Sequence, residues 1–266
     1  MKAVAEYRPY GWRGKIGLIV PSTNTINEPE FYRLAPKGVT IHTARATLLG
    51  KATEESYFRM AEAVKVAGDD LATAEVDVVA YGCTSGSIVC SLQDIVTDLQ
   101  ARTKVPAVAT AGAVVAALRA LGSRRVAVAT PYVDFVNESE RRFLNDYGFE
   151  VTSLHGLRLG ETQEERRGIG RVPPEHVYQM ARAANRPDAD TIFISCTNVA
   201  TLDVIAQIEA DFGKPVVTSN QACFWACLRM LGLPDRIEGY GRLLSEQVAP
   251  ITMGSFALPA APARAA

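Results

Sequence analysis

The chain has 266 residues, 48% of them apolar and 21% charged, with 28 basic against 29 acidic side chains. That length buries one large core or two of ordinary domain size, and the near-neutral balance gives no electrostatic reason to expect nucleic acid or an anionic membrane as partner. The polar and aromatic start, MKAVAEYRPYGWRGK, lacks the apolar core of a signal peptide, no run is apolar for long enough to span a bilayer, and a cytoplasmic protein is expected.

Short runs rich in Val, Ile and Ala alternate with segments of helical period, the rhythm of a parallel α/β sheet. In chain order, strands are predicted over 16–21 and 39–44, a helix over 54–74, and strands over 76–81 and 105–109. The second half follows with a strand over 125–130, a helix over 134–147, and strands over 150–154, 191–195 and 215–218. The stretch 246–266 loses periodicity, is rich in Ala and Pro, and reads as a poorly ordered tail or an arm between the subunits of a homo-oligomer.

The two halves repeat each other. DVVAYGCTSGS at 77–87 answers DTIFISCTNVA at 190–200, PAVATAGAVVAALRALG at 106–122 answers PVVTSNQACFWACLRMLG at 215–232, and IGLIVPS at 16–22 answers VAVATPY at 126–132. A duplicated unit of domain size predicts an α/β fold of two doubly wound, flavodoxin-like lobes related by a pseudo-two-fold. The lobes are placed at 1–115 and 116–245, with a final helix that crosses back onto the first lobe, and 246–266 as the tail. Open parallel sheets hold ligands beyond the carboxyl ends of their strands. Cys83 and Cys196, each just past an equivalent strand, are therefore expected to face one cleft from opposite walls.

Five cysteines, an odd number without a CxxC pair, point to free thiols, and the three histidines are too scattered for a zinc site. No GxGxxG or GxxxxGK[ST] loop is present, so no cofactor and no metal are expected. Thr84-Ser85-Gly86 and Thr197-Asn198 are helix-capping types. A helix start beside each sulfur is expected to favour a bound anion and to lower the thiol pKa. Chemistry at the carbon next to a carboxylate develops an enediolate, which aimed N–H and hydroxyl donors stabilise, and two thiols on opposite faces supply the base and the acid. Cys90, Cys223 and Cys227 read as small buried hydrophobes. Arg166 and Arg167 read as solvated surface, and Glu28, His42 and Arg45 are not singled out.

The motifs IVPSTN at 19–24, GCTS at 82–85, ATPYVDFVNE at 129–138, SCTNVATLDVI at 195–205, CFW at 223–225 and GYGRLL at 239–244 resemble the aspartate/glutamate racemase superfamily. Within it they are most similar to the branch of arylmalonate decarboxylases and maleate cis–trans isomerases, over residues 15–245. The resemblance implies that Cys83 stands where isomerases and racemases keep a first cysteine and decarboxylases a glycine. It places Cys196 at the second cysteine, which all three activities use. It places Thr84, Ser85 and Tyr132 at the donors with which decarboxylases hold a carboxylate, and Asn24 at a carboxylate-binding asparagine of the isomerases. Thr197 and Asn198, directly after the second cysteine, complete the expected substrate-binding set. The implied activity is a cofactor-independent isomerase or racemase of a small mono- or dicarboxylic acid. An arylmalonate-type decarboxylase is the alternative, and a non-catalytic carboxylate-binding protein the reading of another class. Two departures from the isomerase pattern stand out: Thr84-Ser85-Gly86-Ser87 replaces an aliphatic stretch, and a longer charged segment at 160–167 replaces an Asp-Asn pair.

Overall fold

The computed structural model describes residues 9–258. Strands β1 (Gly14–Pro21), β2 (Val39–Ala46), β3 (Val78–Tyr81) and β4 (Ala107–Ala109) form one sheet in the order β2-β1-β3-β4. Strands β5 (Arg125–Tyr132), β6 (Glu150–Leu159), β7 (Thr191–Ile194) and β8 (Val216–Thr218) form a second in the order β6-β5-β7-β8. All pairings are parallel, and the two orders correspond strand for strand. Central strands are buried on both faces, which is why β1 carries Ile16, Leu18, Ile19 and Val20 in nearly continuous succession.

The helices of the first half are α1 (Asn27–Leu34), α2 (Glu54–Thr73), α3 (Thr84–Val89), α4 (Leu92–Thr103) and α5 (Thr110–Ala120). Those of the second half are α6 (Asp134–Asp146), α7 (Gln163–Gly168), α8 (Pro174–Ala184), α9 (Ile205–Phe212), α10 (Ser219–Met230) and α11 (Arg242–Glu246). Local signals set their ends. Thr53 and Ser56 make a capping box at the start of α2, and Gly213, in the left-handed conformation, closes α9.

Helices α5 and α10 pack on each other, and each also reaches the last strand of the opposite sheet, α5 on β8 and α10 on β4. Being covered on nearly every side, they are buried all round rather than amphipathic, with the polar Ser219, Asn220, Gln221 and Arg229 of α10 buried as well. The division drawn at 115/116 falls within α5, which answers α10 in the repeat.

Two expectations are corrected. Strand β6 continues beyond 154 to Leu159, because it is a half-exposed edge strand with two register shifts against β5 and its polar residues mask the pattern. Of the two readings of 246–266, the poorly ordered tail is overturned for its first part, which is tied to its own chain through 257. The Gln247 carbonyl accepts from Trp225 Nε1 at 2.7 Å and Arg229 Nε at 2.8 Å. Phe256 is buried against Gly112 of α5, and Arg119 donates to the Ser255 and Ala257 carbonyls at 3.1 and 2.8 Å. Two buried donors and an open helix face thus hold a stretch whose composition alone looks disordered. Residues 259–266 of the predicted tail lie outside the described residues. Among the described residues no helix is long and apolar enough to cross a membrane, and no group of three His, Cys, Asp or Glu side chains is placed to hold a metal ion.

Candidate active site

In each sheet the chain leaves the central strand to one side and returns on the other, so the loops after β1 and β3, and after β5 and β7, diverge at a topological switch point. These four loops converge on one cavity. Cys83, Thr84, Ser85 and Asn24 line it from the first lobe, and Cys196, Thr197, Asn198 and Tyr132 from the second. All eight residues singled out in the sequence meet there. Two segments close the outer side: one brings Leu48, Ala52 and Tyr57, the other Leu159, Gly160, Arg166 and Ile169. They clasp each other through Ala52 N–H to the Gly160 carbonyl at 2.9 Å and Gly50 N–H to Gln163 Oε1.

Cys83 caps α3, its sulfur accepting the Gly86 N–H at 3.3 Å. A Cβ at Gly86 would collide with the Tyr81 hydroxyl and Met60 and would stand 3.0 Å from this sulfur, so the seat needs glycine. Cys196 departs from expectation. No helix starts beside it; its φ is +98°, a left-handed value, and α9 begins only at Ile205. Its N–H donates to Ser219 Oγ at 3.0 Å, and its sulfur accepts the Asn198 N–H at 3.4 Å. The Thr84 hydroxyl donates to the same Ser219 oxygen at 2.8 Å, so one hydroxyl joins both cysteine loops.

Further bonds sew the lobes together. Asn24 Nδ2 donates to Thr197 Oγ1 at 3.0 Å, the Thr197 hydroxyl to the Gly82 carbonyl at 2.9 Å, and Thr25 N–H to Asn198 Oδ1 at 3.0 Å. Asn24 Oδ1 also accepts from Ile26 and Asn27 N–H at 2.9 and 3.0 Å, capping α1. Arg45 pairs with Glu28 at 3.0 Å, and neither these two nor His42 lines the cavity.

The expected lowering of the thiol pKa values is reversed. Burial pushes Cys196 up to about 12, against the Asn198 N–H and the Tyr132 hydroxyl. Burial also raises Cys83, opposed by the Gly86 N–H, the Ser85 and Tyr81 hydroxyls and the Arg166 charge. Desolvation wins because both sulfurs are enclosed, α3 spans only six residues, and Cys196 has no helix beside it.

Arg166 is corrected as well. It is not solvated surface but 5% exposed, and it is the one charged side chain among the residues lining the cavity. Its Nη2 donates to Ser56 Oγ at 3.2 Å, its guanidinium lies 5.6 Å from the centre of the Tyr57 ring, and its Nη1 has no partner. Helix α7 turns Arg166 inward and leaves Arg167 exposed, as expected for that residue; six residues are too few for periodicity to reveal that phase.

Two buried carboxyl groups beneath the site also went unread, although the repeat marks them: NEPE at 27–30 answers NESE at 137–140. Glu30 reaches across to the second lobe and accepts from Thr201 N–H at 2.6 Å, Leu202 N–H at 3.0 Å, the Thr201 hydroxyl at 3.3 Å and Asn220 Nδ2 at 2.6 Å. Glu140 accepts only from the Ser195 hydroxyl, at 2.6 Å, leaves its other oxygen without a partner, and is pushed by burial up to about 8.

The model of the arylmalonate decarboxylase family matches residues 16–244. The chain belongs to that family. Relatives fall on two activities. An arylmalonate decarboxylase of Bordetella bronchiseptica is 33% identical over 237 residues, which cover 87% of this chain and 96% of the relative. A maleate isomerase of Pseudomonas putida is 29% identical over 249 residues, covering 87% and 97%. Among solved structures, a cysteine-to-serine variant of Nocardia farcinica maleate cis–trans isomerase with a covalently bound succinylcysteine intermediate superimposes with a TM-score of 0.81 at 26% identity, covering 88% of this chain and 98% of its own.

Proposed function

We propose that this member of the family is a cofactor-independent cis–trans isomerase of a small unsaturated carboxylic acid of the maleate type, with Cys83 as nucleophile and Cys196 as acid and base. The observation that carries the reading is the presence of both thiols in the wall of one cavity, where decarboxylases of the family keep a single cysteine. The different surroundings of the two sulfurs divide the labour. Cys196, pushed up to about 12, keeps its proton and is the acid. Burial raises the Cys83 thiol too, but the Gly86 N–H, the Ser85 hydroxyl and the Arg166 charge oppose that shift and steady the thiolate once its proton has passed to solvent.

The Cys83 thiolate adds to one alkene carbon; a C–S bond forms, and the π pair moves to the neighbouring carbon, next to a carboxylate. The resulting enediolate is stabilised by Thr84, Ser85 and Tyr132 and takes the Cys196 proton, giving a saturated thioether. Rotation about the new single bond follows. Cys196, now a thiolate, removes the proton again, and the returning pair expels Cys83 as the trans alkene forms. The succinylcysteine adduct of the Nocardia enzyme is a species of this kind.

Proton NMR in deuterated water tests the scheme against maleate, other small cis-unsaturated acids, saturated 2-substituted acids and arylmalonates. Conversion of a cis acid to its trans isomer is expected, with a loss of at least about 10³-fold in Cys83→Ala and accumulation of a protein–substrate adduct, seen by mass spectrometry, in Cys196→Ser. Near-wild-type turnover in both variants sinks the scheme. Deuterium entering an unaltered saturated acid would instead mark racemisation by the same pair. The donor set Thr84, Ser85 and Tyr132 favours one second reading, decarboxylation of an arylmalonate with Cys196 protonating the enediolate. Carbon dioxide release that survives in Cys83→Gly would establish it.

A further inference from the structure

We propose that Arg166 holds a second anionic group of the substrate, so that the cavity selects dicarboxylates over monocarboxylates of the same length. The inference rests on the reading of the cavity as the site of a carboxylate substrate, and not on the isomerisation chemistry.

The argument starts from a charge with too few partners. A guanidinium 5% exposed to solvent has given up most of its hydration, and burying a cation without a counter-charge is strongly unfavourable. The protein supplies one neutral acceptor, Ser56 Oγ, and the face of Tyr57. Nη1 has nothing. Among the described residues no carboxylate forms an ion pair with Arg166. The nearest acid along its own helix, Glu165, is already engaged, its Oε2 accepting from the N–H groups of Gly160, Glu161 and Thr162 at 3.3, 2.8 and 3.3 Å.

Orientation is equally specific. Ser56 and Tyr57, both from α2, hold Nη2 and the guanidinium face, and Nη1 is buried without a partner on a side chain that lines the cavity. A planar fork of N–H donors matches a carboxylate. The cysteines approach from the strand ends and Arg166 from α7, on the outer wall, so one small diacid is met by a different wall at each end. The apolar side chains of Leu48, Val136, Leu159 and Ile169 share the lining and offer nothing to compete for the anion.

The Cys83 thiolate is the other possible counter-charge, and binding of unreactive acids separates the two roles. Isothermal titration calorimetry at pH 7 compares succinate with butyrate, four-carbon acids that have no double bond, on wild type, Arg166→Gln and Arg166→Lys. Succinate should bind wild type about 10- to 100-fold more tightly than butyrate, the range of a charged hydrogen bond. Arg166→Gln should erase most of that ratio, and Arg166→Lys should keep part of it. Because the change removes an uncompensated buried charge, Arg166→Gln without ligand should melt at or above the wild-type temperature. The proposal falls if wild type shows no preference for succinate, if Arg166→Gln weakens both acids equally or neither, or if that variant melts below wild type. A preserved ratio effect in a protein that isomerises nothing would overturn the proposed reaction and leave this assignment standing.

Discussion

Cys196 carries its thiol on backbone with φ of +98°, where a Cβ is crowded. Tertiary bonds hold it there: its N–H is fixed on Ser219 Oγ, and Asn198 N–H closes back on its sulfur. A residue so placed stores about 1–3 kcal/mol. Cys196→Ala and Cys196→Gly both delete the sulfur, but only glycine releases the strain. After the unfolded-state entropy of glycine is allowed for, Cys196→Gly should be more stable than Cys196→Ala by about 1 kcal/mol, or 2–4 °C in Tm for a chain of this size. Equal or inverted melting temperatures would show the backbone to be relaxed. The sequence makes the two cysteines visible because the repeat sets them in register; Thr84, Ser85, Thr197 and Asn198 follow them into the cavity wall, but only the first pair begins a helix. The strain is not visible, since it comes from a bond to a helix 23 positions away. Nor is the direction of the thiol shifts: sequence shows a possible cap, whereas depth of burial is decided by the opposite lobe and by Arg166's segment.

Helices α5 and α10 show how the same limit acts on elements. Their repeat is legible, and so are the doubly buried strands, whose apolar runs need no partner to be recognised. What covers a helix is a different question. Phe256 lies 92% buried against α5 at Gly112, within a stretch of Ala, Pro and Gly that reads as disordered. One aromatic side chain and three backbone carbonyls, those of Gln247, Ser255 and Ala257, suffice to dock it. Phe256→Ala should therefore lower unfolding stability by about 3 kcal/mol, measured by urea titration. Its KM should stay unchanged, because the cavity is lined by other segments. Wild-type stability in that variant would return 247–257 to the status of a loose tail. Edge strand β6 fails in sequence for the complementary reason: half-exposed and bulged, it lacks both the continuous run and the strict alternation that mark a strand.

Across the whole molecule, the repeat places a carboxyl group under each lobe's site loops and then treats the two differently. Glu30 receives four donors and links the lobes, whereas Glu140 receives one. Burial raises both, and with so little to offset it Glu140 reaches about 8 from an ordinary 4.5. Between those values the native state keeps a proton that the unfolded chain has released, so unfolding free energy falls as pH rises. The contribution is complete below about pH 4.5 and is lost by about pH 8. Glu30 adds to the same slope, while Cys196 acts only above its ordinary value of 9. Groups facing Glu140 are Ser195, Tyr132 and Cys196, and none of them is a cation. Glu140→Gln retains an oxygen for the Ser195 hydroxyl and cannot ionise. Calorimetric melting from pH 5 to 8 should show wild type losing on the order of a few kcal/mol and the variant much less, with the two curves meeting near pH 5. Parallel curves would mean that Glu140 titrates as an ordinary carboxylate and that water reaches it beneath Cys196. A flattened curve would mean that Cys196 sits above a neutral acid throughout the neutral range, so that no fixed negative charge opposes the Cys196 thiolate of the proposed scheme.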